Sequence, residues 1–504
     1  MAAAPDENSP RRRPHILFIV MDDLGSQDLG MHGSGIHTPT ADALAKKGLI
    51  LQNYYVLPYC SPTRAAILSG RYPQHTGCHN VIASDDSQGL PLDEETLPTV
   101  LCQVGYQAHA VGKWHLGHAR WEQTPTFRGF QSFFGYYLGW THYFSHYHDD
   151  IHGYDMHHDK QEFCGQGCSV IPDERGNYST HVFTRQALEV IDQHNAHDVD
   201  KPLFLYLAHQ AVHAPNEVPG EFTKRYENQT TWTTQRKLYA GMLTAADESI
   251  AQVIQALRRK DMWKDTLVVY TTDNGGPTTV CGVQGSTNRA RGGKCSVWEG
   301  GTTGDGFVSG PALSSQATTG SSYPHIFHAV DWLPTLAAMV AATPKGKPLD
   351  GVSHWQAFIT SFRKNSTQPA PPRQEVFVGY AAYQNSWYGP AVRWKHWKLL
   401  QGGSGGPDVI NQNPHGSPHP APGGVDDDRY QLFDLQLDPN ETIDVAKENP
   451  LLVQLLKSKL QEYQQTYVPP IENDPACTPF RGITNTSEFG PTFLPWCSEL
   501  VVYT

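Results

Sequence analysis

His15-Ile-Leu-Phe-Ile-Val-Met21, running directly into Asp22-Asp23, is the stretch from which the rest of the chain is read. It is nearly all apolar, without alternating polar positions, and rich in residues that suit a pleated surface, so it predicts a strand covered on both faces. That strand delivers two carboxylates at its carboxyl end. Three other segments follow the same plan. Gln107-Ala-His-Ala-Val111 leads into Gly112-Lys113-Trp-His115, Pro202-Leu-Phe-Leu-Tyr-Leu-Ala208 into His209 through His213, and Thr266-Leu-Val-Val-Tyr-Thr-Thr272 into Asp273-Asn274-Gly-Gly276. Helical patterns lie around Thr40 to Lys47, Pro62 to Leu68, Leu97 to Val104, Thr180 to His194 and Arg236 to Lys260. Strands alternating with helices imply an α/β fold, a large mainly parallel sheet sandwiched by helices, and such sheets gather ligands at the carboxyl ends of their strands. Four polar groups at four strand ends are therefore expected to converge.

Cys60-Ser61-Pro62-Thr63-Arg64 adds a nucleophile. Pro62 suits a first helical turn, so Cys60 is expected just before a helix N-terminus, where the dipole and free amides stabilise negative charge. Arg64 falls one turn along, on the same face. A cysteine taken alone is more often buried or disulfide-bonded, but this setting points to chemistry on an anion. Asp22, Asp23, Asp273 and Asn274 are hard oxygen donors, a set that suits calcium or magnesium. Adjacent aspartates often form a mere solvated turn; the Asp273-Asn274 group at a second strand end is what turns the pair into a metal-site prediction. Lys113, His115, His213 and Lys294 supply cationic or titratable groups, although any one histidine is more often structural.

Composition sets the limits. Formal net charge is −12 and there are no basic blocks, which argues against nucleic acid as partner and requires a local basic pocket for an anionic substrate. The longest purely apolar run, Ile16 to Met21, is far short of the ~20 residues of a membrane helix. At 504 residues the chain exceeds one comfortable core, and we expect a catalytic domain over 14–375 and a smaller α+β domain over 376–504. There a proline-rich stretch around Pro369 to Pro372 marks a linker or long loop, and Gly402 to Asp428 reads as a mobile insert. Ala391 to Leu400 and Tyr430 to Leu435 alternate as strands do, while Leu452, Leu455, Leu456, Leu460 and Tyr463 recur at helical spacing as core, giving a small antiparallel sheet with one packing helix. Setting Cys60 aside, eight of the nine cysteines permit up to four disulfides, with Cys164-Gly-Gln-Gly-Cys168 read as a small disulfide loop in preference to zinc. Sequons start at Asn177, Asn228, Asn365, Asn440 and Asn485, which with the cysteines suggests a secretory route, although the first thirteen residues lack an apolar leader core. The loop Thr141 to Asp159, rich in histidine and tyrosine, is expected to be a polar surface or substrate-contacting loop, with a second metal site the lesser reading.

The run Cys60 to Gly70 resembles the signature of the sulfatase family. Asp22-Asp23, Gly105 to His115, the region of His213, Asp273-Asn274 and Lys294 match further stretches of that family in the same order, so the resemblance spans roughly residues 14 to 340. Within the family the chain is most similar to the arylsulfatase B group, which includes N-acetylgalactosamine-4-sulfatase, through Val111-Gly-Lys-Trp-His-Leu-Gly117, Lys201 to Ala208, Thr272 to Gly276 and Trp298-Glu-Gly-Gly301. Thr303 stands where that group carries an arginine.

The resemblance implies an alkaline-phosphatase-like fold and conversion of Cys60 to formylglycine by a formylglycine-generating enzyme. The hydrated aldehyde attacks sulfur and a sugar or aryl alcohol departs. Arg64, Lys113, Lys294 and one metal ion neutralise the sulfonyl oxygens, His213 protonates or positions the leaving oxygen, and His115 helps to expel sulfate. Calcium, with magnesium as the alternative, is held by Asp22, Asp23, position 60, Asp273 and Asn274. The substrate is a sulfated small molecule or glycan such as N-acetylgalactosamine 4-sulfate, met in a lysosomal or secreted setting. Two other readings are a phosphate or phosphonate ester hydrolase, which would call for a second metal, and an inactive protein that binds sulfated glycans.

Overall fold

The computed structural model describes residues 13–160, 169–278, 281, 284–313, 320–361, 370–383, 386–403, 429–477, 483–487 and 490–497. Its strands in chain order are β1 (His15–Met21), β2 (Leu49–Tyr55), β3 (Gln107–Lys113), β4 (Ser132–Tyr136), the short β5 (Tyr147–His148) and β6 (Gly153–Tyr154), β7 (His157–Lys160), β8 (Leu203–Ala208) and β9 (Thr266–Thr272). They continue with β10 (Gly306–Ser309), β11 (Ser321–His328), β12 (Glu375–Tyr383), β13 (Ser386–Trp394), β14 (Trp397–Gln401), β15 (Tyr430–Asp434), β16 (Ile483–Ser487) and β17 (Gly490–Phe493).

Nine of them form one sheet in the order β11-β2-β10-β9-β1-β8-β3-β4-β7, parallel except where β10 and β7 run against their neighbours. β1 lies at the centre, between β8 and β9, and its side chains divide between two cores. Ile16, Phe18 and Val20 pack with Ala65, Leu68 and Leu101 on the side of the helices Cys60–Ser69 and Leu97–Cys102. Leu17, Ile19 and Met21 pack with Ile191, Ile250 and Val253 on the side of the helices Ser179–Gln193 and Thr234–Arg259. A strand with a core on each face has no room for polar alternation, and each fully buried large side chain contributes about 1.5–3 kcal/mol.

All five anticipated helices are present to within a few residues: Pro39–Lys47, Cys60–Ser69, Leu97–Cys102, Ser179–Gln193 and Thr234–Arg259. The strands β2, β4, β7, β10 and β11 of this sheet are additions, because short strands with mixed side chains carry little periodic signal.

The second sheet is antiparallel, β12-β13-β14-β15, and is packed by the helix Pro450–Gln465. Here the sequence reading needs two corrections. The segment Ala391 to Leu400 is not one strand: the chain turns at Lys395, in the left-handed region with φ 56°, and Trp394 pairs with Trp397 across the turn. Leu456 and Leu460 are buried, but Leu455 is 44% exposed, because 3.6-residue periodicity points it off the packed face.

A third sheet joins β16 and β17 from the tail to β6 and β5. The loop Thr141 to Asp159 is largely internal rather than a surface loop, with Tyr143, His146, His148, Asp155 and His157 buried. Its histidines are taken up individually: His142 lies between Glu217 and Asp149, and His157 contacts Asp155 at 2.8 Å.

Cys281–Cys295 and Cys477–Cys497 are disulfides. Cys78 and Cys102 are free thiols, so the four bridges that eight cysteines would permit do not form. Each sulfur instead faces a carbonyl, that of Gly89 for Cys78 and that of Gly129 for Cys102. Cys164, Cys168 and most of the insert Gly402 to Asp428 lie outside the described residues. No described helix is long and apolar enough to cross a membrane.

Candidate active site

The four strand ends converge, and Cys60 starts its helix among them. β1 ends at Asp22-Asp23, β3 at Lys113 with His115 just beyond, β8 leads to His213, and β9 ends at Asp273-Asn274. Parallel neighbours in register bring these ends together: Met21 pairs with Thr272, and the Asp23 amide donates to Asp273 Oδ1 at 3.2 Å. Lys294 arrives from the loop closed by the Cys281–Cys295 disulfide.

The polar groups interlock as ion pairs. Lys113 Nζ lies 2.7 Å from Asp22 Oδ2, and Lys294 Nζ lies 2.7 Å from Asp23 Oδ1. Arg64 donates from Nε and Nη2 to Asp273 Oδ2 at 3.0 and 2.8 Å, and from Nη1 to the Lys113 carbonyl at 3.1 Å. Asn274 Nδ2 donates to Asp23 Oδ1 at 2.7 Å, and His213 Nε2 lies 3.6 Å from Asp23 Oδ2. Arg64 is wholly buried, and three of its five N–H groups hold Asp273 and the Lys113 carbonyl of β3. The sequence could place it on the correct helix face but not reveal which partner claimed it.

Burial dominates the titration of the site. The Cys60 thiol is pushed up by desolvation despite Lys113 and Lys294 nearby. Cys60 is 2% exposed, so loss of water works against the anion that a helix start favours. Burial and the Asp273 carboxylate raise Asp22 to about 8. Against burial, Lys294 and then His213 hold Asp23 well below the usual carboxylate range, and Arg64 and then Lys113 lower Asp273.

His115 is held well below its ordinary value by burial and then by Lys113. Its Nε2 lies 3.0 Å from the Ile82 carbonyl and its Nδ1 3.2 Å from Cys60 Sγ. A carbonyl can only accept, so Nε2 carries the proton and the Nδ1 lone pair faces residue 60. His213 donates from Nδ1 to the Ala214 carbonyl at 2.7 Å, and burial with Lys294 lowers it to about 3.

The donor set fits a hard divalent cation. Asp22 Oδ1 and Asn274 Oδ1 are buried without a hydrogen-bond partner, and buried acceptors of this kind call for a cation or water. Ligand atoms of Asp22, Asp23 and His213 lie within 4.8 Å of one another, so an imidazole stands beside what the sequence presented as an oxygen-only set.

Three contributors carried no sequence signal or a faint one. The Ile82 carbonyl, which sets the His115 tautomer, is a backbone atom. Asn288 holds the Asp273-Asn-Gly-Gly turn by accepting from the amides of Gly276 and Ser26. Gly139 lies flat against the His115 ring, where a Cβ would come within 2.8 Å of Cε1. Asp23 and His115 both occupy the left-handed region, at φ 61° and 59°, a strain that functional sites often store.

Known proteins share this framework. The family model described as Sulfatase matches residues 14–341. Arylsulfatase J of Mus musculus is 36% identical over 485 residues, covering 91% of this chain and 77% of its own length. N-acetylgalactosamine-6-sulfatase of Homo sapiens is 30% identical over 358 residues, covering 68% of this chain and 65% of its own length. The crystal structure of Ps i-CgsB in complex with k-i-k-neocarrahexaose superimposes with a TM-score of 0.75 at 28% identity, over 92% of this chain and 95% of that one.

Proposed function

The chain belongs to the sulfatase family and is a sulfuric ester hydrolase, and from that premise we propose that Cys60, converted to formylglycine by a formylglycine-generating enzyme, is its reactive centre. The substrates we infer are aryl sulfates and sulfated sugars such as N-acetylgalactosamine 4-sulfate. The reading is carried by one observation: Asp22, Asp23 and Asp273, interlocked with Arg64, Lys113 and Lys294, meet at strand ends within electrostatic reach of Cys60.

A hydrated aldehyde in place of the thiol supplies an oxygen nucleophile and a second hydroxyl from which sulfate can be expelled. A divalent ion, calcium or magnesium, held by Asp22, Asp23, position 60, Asp273 and Asn274 supplies positive charge to the sulfate oxygens. Burial keeps Asp22 protonated until a cation is bound, and a bound cation would hold it ionised and add positive charge beside Lys113 and Lys294 for an anionic substrate. Lys113 and Lys294 present ammonium protons to the sulfate oxygens, while Arg64 acts at one remove by fixing Asp273.

His115, neutral and with Nδ1 turned to residue 60, takes a proton from a hydroxyl there. His213 gains proton affinity when an anion sits beside Lys294, and its Nε2 then donates to the leaving oxygen.

A catalytic unit over 14–375 and a smaller one over 376–504, and a secreted or lysosomal setting, complete the proposal. Two disulfides and the exposed sequon residues Asn177, Asn228 and Asn440 support that setting. Among the described residues one metal-type cluster is found, which disfavours a two-metal phosphoesterase. Intact-peptide mass spectrometry across Cys60, with hydrolysis of nitrocatechol sulfate measured against nitrophenyl phosphate, tests the reading. A dominant phosphatase activity, or a thiol that stays a thiol beside a competent maturation enzyme, would overturn it.

A further inference from the structure

We propose that two segments of the C-terminal tail, Val468 to Cys477 and Phe493 to Cys497, form a positioning clamp on His115, with Asn473 and Arg120 as its two fastenings. The proposal rests on the role given above to His115 as the group facing residue 60.

His115 is oriented from two sides. One is the loop from Gln74 to Leu90, whose Ile82 carbonyl accepts the Nε2 proton and whose Ile82 amide donates to Ser61 Oγ, beside Cys60. The other is the chain that leaves β3 through Leu116 to Arg120. The two are joined by the bond from the Leu90 amide to the Leu116 carbonyl, 2.9 Å.

The tail fastens both. Along the loop, the Val468 amide donates to the Gln74 carbonyl at 2.8 Å, and His79 Nε2 donates to the Val468 carbonyl at 2.7 Å. Further on, Asn473 Oδ1 accepts from the Ser87 amide at 2.7 Å, its Nδ2 donates to Asp86 Oδ1 at 2.7 Å, and the Asp474 amide donates to Ser87 Oγ at 2.6 Å. On the other side, Arg120 Nη2 pairs with Asp474 Oδ2 at 2.5 Å and its Nη1 donates to the Cys497 carbonyl at 3.3 Å. The Cys497 amide donates to the Ala119 carbonyl at 2.8 Å, and Phe493 and Trp496 pack their rings on His118. The Cys477–Cys497 disulfide ties the segment that holds Ser87 to the segment that holds Ala119.

Loops of this length hold one conformation only when such cross-links offset their entropy. An imidazole must keep its lone pair aimed at residue 60, and a displacement of about 1 Å can lower a rate by up to about a hundredfold. The clamp does not touch Lys113, Lys294 or the carboxylates, so it acts on turnover and leaves sulfate capture alone.

Asn473 is exposed and Arg120 half-exposed, so neither substitution opens the core. The test is Asn473→Ala and Arg120→Met in the full-length matured protein, assayed with 4-methylumbelliferyl sulfate and by hydrogen–deuterium exchange. We expect each variant to lower kcat by about tenfold with KM within about twofold of the parent. We also expect the peptides covering 78–90 and 114–120 to exchange faster while β1 and β9 stay protected. Unchanged kcat with unchanged exchange overturns the clamp, and so does a rise in KM equal to the loss in kcat/KM. A parent protein without sulfatase activity would refute the functional reading instead, and the exchange arm would still judge the clamp.

Discussion

Lys398→Met tests the buried ionic lock between the two sheets. Lys398, on β14, places Nζ 2.7 Å from Glu441 Oε1 and 3.0 Å from Glu299 Oε1, and donates to the Val297 carbonyl at 2.7 Å. Tyr55 donates to Glu299 Oε2 at 2.5 Å, Arg393 lies 4.0 Å from the same carboxylate, and the Glu299 amide donates to Glu441 Oε2 at 2.7 Å. Lys398 and Glu441 are both fully buried, so two carboxylates and two cations balance out of reach of water.

Methionine keeps the length of the side chain and removes the charge, leaving two buried carboxylates facing Arg393 alone. Removing one partner of a buried ion pair costs about 3–5 kcal/mol, a large part of the ~5–15 kcal/mol that holds a protein folded. Burial, with Glu299 alongside and against the pull of Lys398, already pushes Glu441 up to about 7. Its folded value lies above the ordinary 4.5, so the native state keeps a proton that the unfolded chain releases, and this contribution fades as pH rises from about 4.5 to 7. A protonated Glu441 has less need of Lys398, so the deficit in the variant is smaller at pH 5 than at pH 8.

The assay is urea unfolding followed by tryptophan fluorescence at both pH values, with Lys398→Met/Glu441→Gln as the partner variant. The double variant restores the charge balance and should recover at least half of the loss. A single-variant loss under about 1 kcal/mol, or a double variant whose loss is the sum of the two singles, would refute a coupled network.

Cys60→Ala should abolish turnover, and Lys294→Ala should raise KM for 4-methylumbelliferyl sulfate more than it lowers kcat; an unchanged rate in the first variant would remove Cys60 from its assigned place. Dialysis against a chelator should silence the matured enzyme, and calcium or magnesium should restore it, with Asn274→Ala needing a higher cation concentration; full activity in chelator would rule out the ion. Gly139→Ala should lower kcat by about tenfold or more with little change in thermal midpoint, since a Cβ there meets the His115 ring, and wild-type kinetics would show that the ring is free to shift. Burial lowers His209 to about 4, so its neutral form supports the fold above the ordinary 6.5 and that support is lost as pH falls below it. His209→Gln should accordingly lose about 2 kcal/mol less than the parent between pH 7 and pH 5 in urea unfolding, and parallel pH profiles would contradict the assignment.

Much of the molecule is legible residue by residue. Apolar runs without alternation identified β1, β8 and β9 as strands buried on both faces, Pro62 and the spacing to Arg64 identified the helix that starts at Cys60, and polar residues at strand ends marked where a site must form. These features depend on a residue's own sterics and its exchange with water, which near neighbours in sequence largely determine.

Other features depend on pairings across hundreds of residues and emerge only on packing. Arg64 is claimed by Asp273, 209 positions away, and the proton on His115 is placed by the Ile82 carbonyl. The strand order, the turn at Lys395 and the placing of Thr141 to Asp159 inside the molecule likewise come from tertiary contacts. Cys60 shows the division most clearly. Its position at a helix start favours an anion, whereas the surrounding core removes the water that would stabilise one, an opposing effect that only the packed structure reveals.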